Sequence, residues 1–344
     1  MTQAVCVEHN QQAGFAAARM QASFKIVVVS DIHYACPAEQ ERRGFETRVI
    51  GNPLLRLFVK AYRHHIWVGD PFSHNHLLGY FIDAAGEPDL VVANGDYSCD
   101  TAFVGLSDRA AFQSAAACLE AIRARFGQRF KPVFGDHELG KVSLFGGVGG
   151  LRLASWERAV NELGMEPFWH STVGRYVFMG VVSSLVAFPV FEPETLPEER
   201  PAWRRLREIH MNSIRSTFAA LRADQRIILF CHDPTALPFL AADEQIGDKI
   251  PQIELTVIGH LHTKFILHAS RVLSGIPPVR FAGNTVRRMT EALRMARKWR
   301  PFNVRLCPSL SGSQLLKDGG FGVLEIDPAD VKPAIWRVQR LPDH

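Results

Sequence analysis

Asp31, His33, Asp96, Asp136, His137, His232, His260 and His262 are side chains of the types that bind metal ions and move protons. They fall in short segments: Asp31-Ile32-His33, Gly95-Asp96, Gly135-Asp136-His137-Glu138, His232 and Gly259-His260-Leu261-His262. Each segment follows an apolar run with the length of a buried strand, at residues 25–30, 89–94, 130–134, 226–231 and 254–258. Polar stretches of helical character separate the runs, which predicts an α/β chain. Residues at the carboxyl ends of such strands meet along one sheet edge, where open α/β sheets place their sites. Carboxylates and imidazoles crowded there repel or waste one another unless cations hold them. The set therefore predicts a dinuclear metal site.

Taken in order, these segments resemble the signature of calcineurin-like metallophosphoesterases over roughly residues 24–263. A lone Asp-x-His or Gly-His-x-His is weak in a chain with 14 His, but the whole series, each member after its own strand, is specific. The resemblance implies a four-layer α/β/β/α sandwich, two β-sheets flanked by helices. It implies that Asp31, His33 and His262 hold one metal, that Asp136, His232 and His260 hold the other, and that Asp96 bridges them. The implied cofactor is a pair of divalent ions, manganese first, with iron and zinc as the other candidates. A mixed carboxylate and imidazole set suits these better than thiol-seeking metals. Two such cations, about 3.5–4 Å apart, clamp a phosphoryl group and generate a hydroxide that attacks phosphorus in line. His137 is then expected to donate to the leaving oxygen or steady the transition state, for a contribution of about 10²–10⁴-fold.

Two positions depart from the family pattern. Asp136 stands where relatives carry Asn, which adds an anion and predicts tighter metal binding with a less acidic bridging water. Many relatives carry an acid three residues after the bridging Asp, where it orients the histidine. That position is Cys99 here. Either Asp100, one step further, takes over the role for His137 through a longer turn, the favoured reading, or His137 lacks a carboxylate partner.

The remaining chain supplies the elements that hold these residues. Ser107 is placed to cap a helix to about Phe126, with Phe112, Ala115, Leu119, Ile122 and Phe126 as its apolar stripe. Residues 151–163 predict a second helix stopped by Gly164, and residues 202–221 a third. The most apolar stretch, 177–191, is interrupted by Ser183, Ser184 and Pro189. It is too short to span a bilayer and reads as a core strand with its exit loop. Strands at 321–326 and 334–338 are expected to finish the second sheet. Gly146, Gly147, Gly149 and Gly150 mark a loop that is either a mobile rim over the metals or a plain connector.

Residues 1–23 read as an N-terminal extension. Residues 24–344 read as one domain with two additions, a helical insertion at about 37–78 and a basic helical segment at about 285–300. In the first, Pro53 starts a run whose Leu54, Leu55, Phe58, Val59, Tyr62 and Ile66 share one face, with Arg56, Lys60, Arg63 and His64 on the other. In the second, Arg287, Arg288, Arg294, Arg297, Lys298 and Arg300 face away from Val286, Met289, Leu293, Ala296 and Trp299. Singly, each reads first as a helix packed on the core with a solvated basic face. Together they make peripheral contact with an anionic membrane a competing reading. Arg56, Lys60, Arg63, Arg287, Arg288 and Arg294 are the candidate substrate or membrane contacts. His64, His65, His74 and His76 read as surface histidines ahead of a phosphate or metal site.

Hydrophobic content of 47% and charged content of 22% over 344 residues are those of a soluble globular enzyme. A net charge of +4, with no basic stripe interleaved with aromatics near the motifs, gives no support for a nucleic-acid partner. Cys6, Cys36, Cys99, Cys118, Cys231 and Cys307 form no CxxC pair, which fits free thiols in a reducing compartment. No long apolar core occupies the first 23 residues, so no secretory signal is read there. The expected location is the cytoplasm, with the inner face of the cytoplasmic membrane as the setting for a lipid substrate. The predicted activity is metal-dependent hydrolysis of a phosphoester or pyrophosphate bond in a small-molecule or lipid substrate. The two added helices give a faint resemblance to the enzymes that split UDP-diacylglucosamine in lipid A synthesis. The alternatives are a phosphodiesterase or phosphatase acting on a soluble nucleotide or phosphoprotein and, from another class, a non-catalytic binding module of the same fold. The second is disfavoured because every ligand position carries a competent ligand.

Overall fold

The apolar runs that precede the ligand segments are strands in the computed structural model, which describes residues 23–262, 268, 295–313, 316–329 and 332–341. β1 (Phe24–Val29), β2 (Leu90–Asn94) and β3 (Phe130–Val133) pair in parallel. β4 (Phe168–Val173) runs antiparallel to β5 (Tyr176–Val181), which continues in parallel through β6 (Arg226–Cys231), β7 (Ile253–Ile258) and β8 (Val304–Leu306). β9 (Gly320–Ile326) lies antiparallel to β1, and β10 (Ile335–Arg340) antiparallel to β9. One sheet therefore has the order β10-β9-β1-β2-β3 and the other β4-β5-β6-β7-β8.

Alternation along the strands builds the layers. Ile26 and Val28 of β1 meet Phe178, Ile228, Phe230, Leu255 and Val257 of the second sheet in a core between the two sheets. Val27 and Val29 point the other way, onto Ala115, Leu119, Ile122 and Phe126 of the Arg109–Phe126 helix. On the far side, Ile227 and Leu229 pack against Met211, Ile214 and Phe218 of the Arg200–Ala219 helix. Both faces of the inner strands β1, β2, β5, β6 and β7 are covered, which explains why they read as continuous apolar runs, whereas the edge strands β4 and β10 are partly exposed. The result is the four-layer α/β/β/α arrangement.

Several local expectations are corrected. The tail strands β9 and β10 extend the first sheet beside β1 rather than finishing the second, whose outer strands are β4 and β8. Asp108, not Ser107, caps the Arg109–Phe126 helix: its Oδ1 accepts from Ala110 and Ala111 N–H, while Ser107 Oγ donates to Val104 O. The helix expected at 151–163 is α-helical at Leu153–Glu157 and widens to a π turn at Arg158–Glu162 before Gly164. The glycine-rich loop is a packed connector. A Cβ at Gly146, Gly149 or Gly150 would fall 2.0–2.3 Å from the carbonyl oxygens of Val49, Phe103 and Glu194.

The insertion contains the Pro53–His65 helix, capped by Asn52 Oδ1, which accepts from Leu54 and Leu55 N–H. Its expected inner face is turned outward: Leu54, Phe58, Tyr62 and Ile66 are exposed and, of that set, Val59 is buried. Of its basic residues, Arg56 donates to Ile50 O at 3.0 and 2.7 Å and Arg63 pairs with Glu46, so neither is a free membrane-facing charge; Lys60 is exposed. Of the basic segment, Arg287, Arg288 and Arg294 lie outside the described residues, and the Ala296–Phe302 3₁₀ helix buries Ala296, Trp299 and Phe302 in the core. The described cysteines are free and buried. Among the described residues, no helix is long and apolar enough to cross a membrane.

Candidate metal centre

The parallel strands of both sheets end at the same place, and their carboxyl ends carry the ligand segments. Asp31 N–H donates to Gly95 O and His33 N–H to Asp96 O, which ties the exits of β1 and β2 together. His232, leaving β6, reaches across to the first sheet, with its Nδ1 2.6 Å from Asn94 O. A carbonyl only accepts, so that nitrogen carries the hydrogen and Nε2 is directed at the carboxylates. Sharp turns make the approach possible. Asp31, His33, Asp96, His260 and His262 all have φ between 49° and 59°, the left-handed region in which such strain gathers at functional sites.

Ligand atoms of Asp96, Asp136, His232 and His260 form one group in which all lie within 4.8 Å of one another. Those of Asp31, His33 and His262 form a second, and Asp96 also falls within the same reach of His33 and His137. Asp96 thus stands between the groups, where a bridging ligand belongs. Three buried atoms, Asp96 Oδ2, Asp136 Oδ1 and His232 Nε2, have no hydrogen-bond partner yet converge. His232 Nε2 is 3.3 Å from the first and 3.5 Å from the second. Buried polar atoms left unpaired in this way cost stability unless something binds them. A cation at this point fits them, and the donor set suits a dinuclear divalent centre.

The protonation of the metal-free chain follows from the same packing. Burial lowers His33 to about 4, and His262 and His137 to about 3, so these rings are neutral, the form in which an imidazole ligates a metal. Burial also acts to lower His232 and His260. Asp96 beside the first, and Asp136 with Asp233 beside the second, outweigh it and raise both. Burial alone would raise the Asp136 carboxyl, but Lys141 and His260 hold it well below the ordinary carboxylate range. Glu138 is buried and raised to about 8 by that burial and by Asp96; its oxygens accept from Asp96, Tyr97 and Gly135 N–H at 3.0, 2.8 and 2.7 Å. It braces the loop that carries Asp96.

Asp100 does not orient His137. With φ of 46° it turns its carboxyl away, to accept from Gly105 N–H at 2.8 Å, and burial raises its pKa well above the usual value. The Nδ1 of His137 instead meets Ser98 O at 2.9 Å, and Cys99 Sγ donates to His33 O. Sequence reasoning also missed Lys141, whose Nζ lies 3.3 Å from Asp136 Oδ2, and Trp67, whose ring centroid is 5.0 Å from that of His262. Neither lies on a motif. Trp67 follows the inserted helix, which the strand pattern does not place.

A cavity of about 520 Å³ opens from the centre. His33, His137, Lys141, His260 and His262 line it at the centre, and Phe45, Phe58, Val59, Tyr62, Trp67 and Phe103 are among its apolar lining. Glu46, Arg63, Asp100 and Ser143 also face it, so of the described candidate basic contacts Arg63 reaches the cavity.

The calcineurin-like phosphoesterase family profile matches residues 24–264. No curated protein matches the chain in sequence. Similar solved structures include a phosphopantetheinyl hydrolase from Mycobacterium tuberculosis, 16% identical, covering 70% of this chain and 84% of that one with a TM-score of 0.34. A dimetal phosphatase from Danio rerio is 11% identical and covers 92% and 95%, with a TM-score of 0.43. A purple acid phosphatase from yellow lupin (Lupinus luteus) is 14% identical and covers 70% and 38%, with a TM-score of 0.33. The family match spans most of the chain and contains every residue of the two ligand groups, so the protein belongs to the calcineurin-like phosphoesterases.

Proposed function

We propose that the protein is a metal-dependent hydrolase of a phosphoester or pyrophosphate whose remaining part is apolar and is drawn from a membrane surface, with UDP-diacylglucosamine the first substrate to test. The observation that carries this reading is the division of the cavity. Imidazoles and a lysine belong to the metal centre, and the walls beyond are mostly aromatic and aliphatic side chains, with the Arg63–Glu46 pair, Asp100 and Ser143 among them. A phosphate at one end and an apolar substituent along the other match that division. Phe58, Tyr62 and Leu144 line the cavity while 67%, 39% and 61% exposed, and Leu54 and Leu57 extend the same helix surface. Exposed apolar side chains around a cavity favour a lipid setting.

Two divalent cations, held by Asp31, His33 and His262 and by Asp136, His232 and His260 with Asp96 between, would supply Lewis acidity and lower the pKa of coordinated water. The chain itself positions the proton chemistry. Ser98 O fixes the hydrogen of His137 on Nδ1, so Nε2 is the atom that takes up or returns a proton at the cavity. The apolar walls exclude water from the substituent and orient the ester toward that nitrogen.

The test is manganese-dependent hydrolysis of a nitrophenyl monoester, a bis-nitrophenyl diester, a cyclic nucleotide and UDP-diacylglucosamine, each repeated with His137→Ala. Turnover of the UDP-lipid far above the others, lost in the variant, is the expected result. Activity confined to the soluble esters would favour a soluble nucleotide or phosphoprotein substrate instead. Sedimentation with anionic liposomes tests the membrane part; protein wholly in the supernatant at low salt would refute it.

A further inference from the structure

Asp136 divides its carboxylate oxygens between two sets of neighbours. Oδ1 lies 3.5 Å from His232 Nε2 and 3.4 Å from His260 Nδ1, whereas Oδ2 lies 3.3 Å from Lys141 Nζ. The chain path creates this meeting. After the single turn Asp136–Leu139, Gly140 adopts φ 94°, and a Cβ there would fall 2.5 Å from Gly150 O. The reversal brings Lys141 back beside residue 136. Asp136 is buried, but Lys141 is partly exposed and lines the cavity together with His33, His137 and His262. An amide at position 136 could not serve both sides, because its NH₂ group would face either the ammonium or the cluster as a donor.

Charge points the same way. The carboxylates of Asp31, Asp96 and Asp136 cancel all but one unit of the charge on two divalent cations. Lys141 restores a second unit, which matches a phosphate dianion. We propose that Asp136 and Lys141 act as one unit, in which Asp136 holds a metal through Oδ1 and fixes Lys141 through Oδ2, and Lys141 binds the phosphoryl oxygens of the substrate from the cavity side. The proposal rests on the metal-dependent phosphoesterase reading and is independent of what else the substrate carries.

The experiment uses the manganese-loaded full chain and its Lys141→Met, Lys141→Arg and Asp136→Asn variants, with inorganic phosphate as the probe. Bound manganese is measured by elemental analysis and phosphate affinity by calorimetry. Lys141→Met is expected to keep its manganese and bind phosphate about 10–100-fold more weakly, the scale of one charge-assisted hydrogen bond. Lys141→Arg should recover most of that loss, and Asp136→Asn should lower both manganese content and phosphate affinity. Unchanged phosphate affinity in a fully loaded Lys141→Met protein would overturn the proposal. Loss of manganese in that variant would also overturn it, since the lysine would then only support the metal ligand. A wild-type chain that holds manganese but no phosphate would instead refute the phosphoesterase reading itself.

Discussion

The carbonyl oxygen of Ser98 meets the Nδ1 atoms of both His33 and His137, at 3.3 and 2.9 Å, and so sets which nitrogen of each ring faces the centre. One backbone atom thus aligns a metal-ligand candidate and the proton-transfer candidate. Because His137 lies outside both ligand groups proposed for the metals, His137→Ala is expected to retain its metals and lose about 10²–10⁴-fold in turnover, measured on whichever ester is hydrolysed. Gly135 illustrates a different constraint. A Cβ there would fall 2.2 Å from Asp96 Oδ1 and 2.4 Å from its backbone nitrogen, so Gly135→Ala should displace Asp96 and lower the manganese content of the purified protein. Metal uptake should also be coupled to protons. His232 and His260 hold their protons above the ordinary value of 6.5 in the metal-free chain, and ligation requires them neutral. Manganese affinity is therefore expected to rise with pH through and above that value, with protons released. Calorimetry in buffers of different ionisation enthalpy reads the release, and identical heats in every buffer would contradict it.

At the scale of elements, the Pro53–His65 helix tests the lipid reading most directly. Leu57 and Phe58 are each 67% exposed, so Leu57→Glu or Phe58→Glu should leave stability within about 0.5 kcal/mol while abolishing sedimentation with anionic liposomes. The Arg200–Ala219 helix carries a second prediction. His210 is buried, accepts from Val182 N–H at 3.1 Å, and is lowered to about 3 by that burial. The unfolded chain takes up this proton near 6.5 and the folded chain does not, so stability is lost as pH falls from there toward 3. Urea midpoints at pH 7 and pH 5 should therefore converge in His210→Gln relative to wild type. The elements differ in how far the sequence reveals them. β1, β2, β3, β6 and β7 are legible because each is an apolar run ending in a candidate-ligand segment, and the clustering of those candidates follows from them. β4 is half exposed and β8 has three residues, so neither leaves a comparable pattern. The inserted helix has a clear period, but periodicity cannot say which face meets the protein. Lys141 was hidden because its pairing depends on a reversal at Gly140 rather than on spacing.

At the scale of the molecule, the candidate centre lies where the two sheets meet. Asp31 and Asp96 come from the first, His232 and His260 from the second, and Asn94 Nδ2 donates across the joint to Val257 O. Ions bound there would link the two halves of the sandwich, so chelation should lower the thermal midpoint by several degrees and manganese should restore it. A midpoint indifferent to chelator and metal would mean that the sheets hold together without them.

The strand order also has a consequence for timing during synthesis. β1 carries Asp31 at its exit and lies between β2 and β9, and Leu310 N–H reaches back to Ser30 O. A ribosome that has emitted residues up to His262 has released every candidate ligand, but not the strand that covers the open flank of β1. Metal capture at full strength would then wait for β9, and a nascent chain stalled before Gly320 would hold every candidate ligand without the strand that flanks Asp31.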